Sequence, residues 1–270
     1  MLLIPISILM EGASIKPAGK NNGSENRKDS YSLPKILGTC DKLSQSQKNS
    51  INNWRENIVE IAKRSSHMVY ISGRTKEKLV ALTFDDGPDD KTTPQILNIL
   101  RENNIKASFF FLGRKVSIYP DVVKKTFDDG NLVLNHSYTH ARLTELSESE
   151  IKEKIISSEN AVNQVINKKP AIFRPPYGDT NDLVISVCKS LHYKIVLWSI
   201  DSMDWAEDNA DVVVKNVVDN IRPGDIVLMH SSEETTIEVK ALPIIIPRLK
   251  EKGYRFVTLD EMLKIKAYKD

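Results

Sequence analysis

The chain has 270 residues, 40% of them apolar, and 38 basic against 36 acidic side chains leave a formal charge of +2. That length and apolar content suit one α/β core of roughly 200 to 250 residues, with no room for a second full domain. The balanced charge, without a basic stripe, argues against nucleic acid as a partner.

Residues 1–10 are almost wholly apolar, yet they lack a basic n-region and are too short to span a bilayer. An export-signal remnant and an unstructured chain end both fit. Residues 12–32 are rich in Gly, Lys, Asn and Ser, too polar to offset the entropy of ordering them, so 1–43 is expected to be an apolar leader and disordered tether. From 44 to 67, Ile51, Trp54, Ile58 and Ile61 recur at helical spacing and predict an amphipathic helix. Ser72 and Gly73 then mark a turn that closes an entry segment at 77.

Residues 78–270 alternate short β-rich runs with helical patterns, the signature of βαβ units around a parallel sheet. The runs are 79–84, 107–112, 132–134, 171–173, 194–199, 225–229 and 255–259; helices are expected at 93–103, 119–129, 147–166, 182–191, 210–221 and 241–252. Thr93-Pro94 and Ser147 with Glu150 read as helix starts. Cys188 falls in an apolar helical pattern and reads as a core thiol; with Cys40 it makes neither a disulfide framework nor a CxxC knuckle. The fold class is therefore α/β, a barrel of about seven parallel strands behind a short helical N-terminal extension.

Polar residues stand just beyond nearly every run: Asp85 and Asp86, His136, Arg174, Asp201, His230 and Asp260, with Gly113 the exception. In a parallel α/β barrel these strand ends share one face, where active sites are built. His136 and His140, four apart, would aim both rings at one point if they sat on a helical turn. Alone that is a weak signal, but Asp86 at another strand end completes two His and one Asp, a set that leaves coordination positions open as in catalytic metal sites. Adjacent aspartates are ordinary turn formers. Here the turn does not need both, and their repulsion calls for a cation beside Asp86 and a guanidinium beside Asp85.

Five motifs in order, TFDDGP at 83–88, HSYTH at 136–140, RPPYG at 174–178, DSMDW at 201–205 and LMH at 228–230, make the chain resemble the NodB-homology polysaccharide deacetylases, carbohydrate esterase family 4. The resemblance covers about 78–263 and implies a distorted (β/α) barrel. It also implies that Asp86, His136 and His140 hold a divalent metal, normally zinc and in some relatives cobalt or nickel. By the same resemblance Asp85 is the general base that takes a proton from the attacking water, Arg174 braces it, and the backbone N–H of Tyr177 helps stabilise the oxyanion. His230 resembles the general acid that protonates the leaving amine, with Asp204 supporting its imidazole. Trp205 and Leu228 would wall the acetyl methyl, although Trp205 reads equally well as a core aromatic; Asp201 would orient its loop. Pro175 stiffens the substrate-facing loop and corresponds to a proline that some relatives hydroxylate. The chain departs from the pattern at Leu134, which replaces a small residue beside the site.

The implied reaction removes the N-acetyl group of N-acetylglucosamine in peptidoglycan, leaving a free amine, with no organic cofactor and no protein partner readable. Chitin or chitooligosaccharide, poly-N-acetylglucosamine, N-acetylmuramic acid and acetylxylan stand as alternative substrates. A catalytically silent glycan-binding module is the alternative from another class. A wall substrate places the expected protein outside the cytoplasm, in the wall, at the membrane or in the medium, with its N-terminus a candidate tether.

Overall fold

The computed structural model describes residues 32–232 and 236–270. The apolar run 1–10 and nearly all of the 12–32 tether lie outside them. The described chain opens with α1 (Gln45–Arg64), which starts where Ser44 and Gln47 form a reciprocal capping box and buries Ile58, Ile61 and Ala62. There follow β1 (Val69–Tyr70), β2 (Leu79–Asp85), α2 (Thr92–Glu102), β3 (Ser108–Phe111), α3 (Gly113–Ile118), α4 (Pro120–Asp128) and β4 (Leu132–Asn135). Next come α5 (Glu148–Ile166), β5 (Ile172–Phe173), α6 (Asp182–Ser190), β6 (Lys194–Val196) and β7 (Ile200–Asp201). The chain finishes with α7 (Ala210–Val218), β8 (Asp225–His230), α8 (Ile237–Glu251), β9 (Arg255–Phe256) and α9 (Leu259–Leu263).

The strands run β1-β6-β5-β4-β3-β2-β8-β7, with β9 paired to β2, and every ladder is parallel. All seven expected strands are present. The two additional ones, β1 and β7, are two residues long and, unlike the equally short β5 and β9, stand in no longer apolar run of their own: β1 falls between α1 and the turn at Ser72, and β7 directly follows the run 194–199. No strand ladder joins β1 to β7; instead Ser72, just past β1, makes an antiparallel bridge to Asp225 at the start of β8. The result is a distorted, incompletely closed barrel.

Alternation along the strands sorts their side chains to two faces. Ala81 of β2, Phe110 of β3 and Leu228 of β8 join one apolar cluster with α1 and α6, while Val80, Leu82, Phe84, Phe109 and Met229 join a second with α2, α7 and α8. In register, Thr83 lies beside Leu228 and Asp85 beside His230, which puts all four on the first face.

Four expectations need correcting. Residues 33–43 are not tether: Ile36 and Cys40 are buried, Leu37 bridges in parallel to Ile200, and the Thr39 N–H donates to Asn216. Enough apolar and backbone groups are satisfied there to order the segment. Helix α2 is capped not by its own first residues but by Asp89, whose Oδ1 accepts the N–H groups of Lys91, Thr92 and Thr93 at 3.1, 2.7 and 2.9 Å. Strand β9 stops at Phe256, so Leu259 and Asp260 belong to α9. Because β9 pairs only with Leu79 and Val80 at the start of β2, its end does not reach the level of Asp85, and Asp260 accepts from Thr258 instead of joining the rim. Lastly, His136 to His140 is a loop and not a helical turn, for reasons set by α3 and Asn135 below.

Candidate active site

The two neighbouring aspartates diverge because Asp85 ends β2 in extended conformation and Asp86 turns out of it with φ 69°. Asp85 Oδ1 accepts Arg174 Nη1 at 2.8 Å. Asp86 Oδ1 lies 3.3 Å from His136 Nε2 and 3.2 Å from His140 Nε2. Asp85 stays close to the imidazoles, its Oδ2 being 3.8 Å from His136 Nε2.

The two histidines converge through a loop with left-handed residues at Ser137 (φ 66°) and His140 (φ 62°). Backbone groups hold it: Asn135 Oδ1 accepts the Ser137 N–H at 2.9 Å, and the first N–H groups of α3, from Gly113 and Arg114, bond to the Ser137 and Tyr138 carbonyls. His136 Nδ1 is 2.7 Å from the Arg174 carbonyl oxygen, an acceptor, so Nδ1 carries the proton and Nε2 presents its lone pair. Asp86 Oδ1 is buried and has no hydrogen-bond partner although both Nε2 atoms flank it. Three acceptor atoms within 4.8 Å of one another, one of them an orphaned carboxylate oxygen, fit a divalent cation.

Arg174 is fully buried, and each of its three nitrogens donates to the protein. Nε donates to the Val196 carbonyl and Nη2 to the Leu197 carbonyl, both at 2.9 Å, while Nη1 serves Asp85 and Thr83 Oγ1 at 2.8 Å each. Its guanidinium lies over Phe110 at 4.1 Å and Trp198 at 5.5 Å. Its direction is thereby fixed from every side, which aims the Asp85 carboxylate.

On the opposite flank His230 Nδ1 lies 2.8 Å from Asp204 Oδ1. Burial disfavours the imidazolium, but the Asp204 charge outweighs it and the pKa is pushed up to about 10. Asp201, the last residue of β7, accepts the Met203 N–H at 3.0 Å and the Trp205 Nε1–H at 3.2 Å and so holds the loop that leads to Asp204. Trp205 is half-buried and so is not a core side chain; Leu228 is 4% exposed on the inner face. The 174–178 segment turns sharply, with Pro175 buried and its carbonyl accepting the Gly178 N–H, and with Tyr177 at φ 61° and its ring 47% exposed. A Cβ on Gly178, at φ +63°, would stand 2.6 Å from both Trp198 and Trp54, so α1 braces this loop through stacked indoles 5.1 Å apart.

Several residues here had no motif to announce them. Asn135 Nδ2 donates to Tyr193 Oη at 2.9 Å, Tyr193 donates to Glu159 Oε2 at 2.8 Å, and Glu159 pairs with Lys269 near the C-terminus. Glu238 of α8 is fully buried with both carboxylate oxygens unpartnered. Neither sequence spacing nor periodicity carries such contacts. Leu134 is accommodated without exposure inside the first core cluster.

Parallel strand ends that gather a carboxylate–guanidinium pair, a three-ligand cluster and a carboxylate–imidazole pair define the class of metal-assisted hydrolases on a β/α barrel. The family model for polysaccharide deacetylase matches residues 72–196. A peptidoglycan-N-acetylglucosamine deacetylase of Bacillus cereus is 40% identical over 195 residues, 72% of this chain and 71% of that protein. The solved structure of the Bc1960 peptidoglycan N-acetylglucosamine deacetylase is 38% identical with TM-score 0.73, covering 74% of this chain and 95% of the other. A CE4 family pseudoenzyme from Bacillus anthracis also superposes, at TM-score 0.68 and 32% identity over 72% of this chain and 68% of its own. This chain belongs to the polysaccharide deacetylase family, whose CE4 members are metal-dependent.

Proposed function

We propose that this chain is a peptidoglycan N-acetylglucosamine deacetylase that uses zinc, or cobalt or nickel, and works outside the cytoplasm, where its glycan lies. The observation that carries the reading is the orphaned Asp86 oxygen between two imidazoles, with the Asp85–Arg174 and Asp204–His230 pairs on either side. A pseudoenzyme on the same fold means that architecture alone does not argue for activity. The complete set of groups does, since a glycan-binding module has no use for it.

Held by Asp86, His136 and His140, a divalent cation supplies Lewis acidity toward the acetamide carbonyl and acidifies water at neutral pH. The chain's own groups do the rest. Asp85, aimed by Arg174, accepts the proton of the attacking water. The Tyr177 N–H, carried on the braced 174–178 turn, faces the developing oxyanion. His230 then donates its proton to the departing sugar amine, and the Asp204 carboxylate stabilises the charged imidazole up to that step. Leu228 and Trp205 wall the acetyl group.

Acetate release from peptidoglycan, chitooligosaccharide and acetylxylan, with and without chelator, tests the reading. Chelator-sensitive release from peptidoglycan, with glucosamine in the product, is expected; full activity of a metal-free preparation, or inertness toward peptidoglycan beside turnover of another glycan, overturns it. Fractionation of the cells tests the location, and a wholly cytosolic pool counts against it.

A further inference from the structure

The rim carries a second arginine whose situation is the reverse of Arg174. Arg142 follows the ligand His140 by two residues, and its guanidinium carbon sits 4.5 Å from the centre of the Tyr177 ring. The His140 ring packs edge-on against the same tyrosine, with centroids 4.5 Å apart. His140, Tyr177 and Arg142 thus form a continuous layer leading outward from the metal-ligand cluster. Both outer members are accessible, Arg142 with 38% of its side chain exposed and Tyr177 with 47%.

Arg174 donates from every nitrogen, whereas among the described residues Arg142 has one hydrogen bond, a long one from Nη1 to Asp179 Oδ2 at 3.4 Å. A charge-assisted bond of this kind is normally about 2.7–2.9 Å. The same Asp179 oxygen is engaged more closely by Thr144 Oγ1, at 2.5 Å. Asp179 therefore orients the guanidinium plane over Tyr177 without saturating it, and the remaining edge of a planar fork offers the parallel N–H pair that matches a carboxylate. Neutral N-acetylglucosamine polymers have no use for such a group. Peptidoglycan carries carboxylates on the lactyl-peptide branch of every second sugar.

We propose that Arg142, stacked on Tyr177, is a specificity-determining subsite that binds a carboxylate on the branch of a muramic residue next to the N-acetylglucosamine being deacetylated. The inference rests on the peptidoglycan reading above. It adds a positive contact that selects branched, acidic glycan over chitin-like chains.

The test uses the metal-loaded full chain and its Arg142→Ala and Arg142→Gln variants on three substrates: a neutral N-acetylglucosamine oligomer, glycan strands bearing stem peptides, and the same strands with the peptides removed so that the lactyl carboxylate is free. Both variants are expected to lose roughly tenfold or more in kcat/KM, chiefly through KM, on at least one acidic glycan. On the neutral oligomer they should stay within about twofold of the wild type, and Arg142→Lys should recover part of the loss. Loss confined to peptide-bearing strands assigns the stem carboxylates as ligand; loss confined to stripped strands assigns the lactyl carboxylate, which peptide-bearing strands hold as an amide; loss on both shows that the subsite accepts either carboxylate. An equal loss on all three substrates would mean that Arg142 only props Tyr177, and no loss on any would mean that it binds nothing; either overturns the proposal. The neutral oligomer also reports whether a variant is folded and loaded. Failure of the wild type itself on both acidic glycans, with the oligomer turned over, removes the peptidoglycan reading and this inference with it. Wild-type turnover of peptidoglycan without discrimination by the variants removes this inference alone.

Discussion

The Asp204 carboxylate holds His230 twice: Oδ1 lies 2.8 Å from the ring Nδ1, and Oδ2 accepts the backbone N–H of the same residue, also at 2.8 Å. Side chain and main chain of the acid are fixed by one partner. In the proposed reaction the protonated His230 is the working form, so activity should fail as pH rises through its pKa of about 10. Asp204→Asn removes the charge that raises this value. Its alkaline limb should move down by roughly 1 to 3 pH units, and turnover should fall about a hundredfold at unchanged metal content. A pH profile of kcat with parallel metal analysis checks this, and an unmoved limb would undo the pairing.

Asp85 and Asp86 are adjacent yet face different partners, a guanidinium and two imidazoles. Asp85→Asn keeps the shape and cannot accept a proton, so metal should stay bound while kcat drops roughly a hundredfold or more. Asp86→Asn should instead bind metal poorly and lose activity for that reason. Metal stoichiometry by elemental analysis, beside acetate release, separates the two; the opposite pattern would exchange their roles.

Glu238 is buried beside Asp204, His230 and Asp89 with no partner for either oxygen. Burial, reinforced by the Asp204 charge, pushes its carboxyl up to about 9 from an ordinary 4.5. Its contribution to stability is complete below the unfolded value, declines by up to about 1.4 kcal/mol per pH unit above it, and is fully lost by the folded value. Glu238→Gln, neutral at every pH, should therefore raise Tm at pH 8 and leave it nearly unchanged near pH 4. Thermal melts at the two pH values decide; an equal shift at both would mean that Glu238 is ionised in the fold.

Tyr193 links Asn135, which shapes the ligand loop, to Glu159 and Lys269. Tyr193→Phe removes the shared hydroxyl and leaves Asn135 Nδ2 with only the Ile155 carbonyl. Since the effect reaches the ligands at second hand, metal affinity should fall by up to about tenfold. Competition against a calibrated chelator measures it. Unchanged affinity would confine this network to the core.

The longer strands and helices of the barrel were legible because each repeats its period and its apolar face has only one place to go, and the two-residue β5 and β9 because each lies inside a longer apolar run. The five motifs were legible because a rim at the strand ends forces polar residues to follow apolar runs. Strands β1 and β7 were not, since β1 is wedged between the α1 pattern and the turn at Ser72 and β7 directly follows the run 194–199, and the ordering of 33–43 depends on the edge of β7, which lies far along the chain. The spacing of His136 and His140 was a weak signal until Asp86 and the family resemblance made both candidate ligands, and the helical turn on which their rings would converge is absent. Their rings meet because the first N–H groups of α3 and the side chain of Asn135 stabilise left-handed residues in a loop. The sequence by itself thus determined the fold class, the chemical inventory of the site and the family. Only the tertiary structure decided which oxygen faces which partner, that Arg174 donates from every nitrogen while Arg142 does not, and that Glu238 is stranded beside Asp204 and His230. Those are contacts between segments tens to more than a hundred residues apart, and they depend on barrel closure and register, which no local pattern encodes.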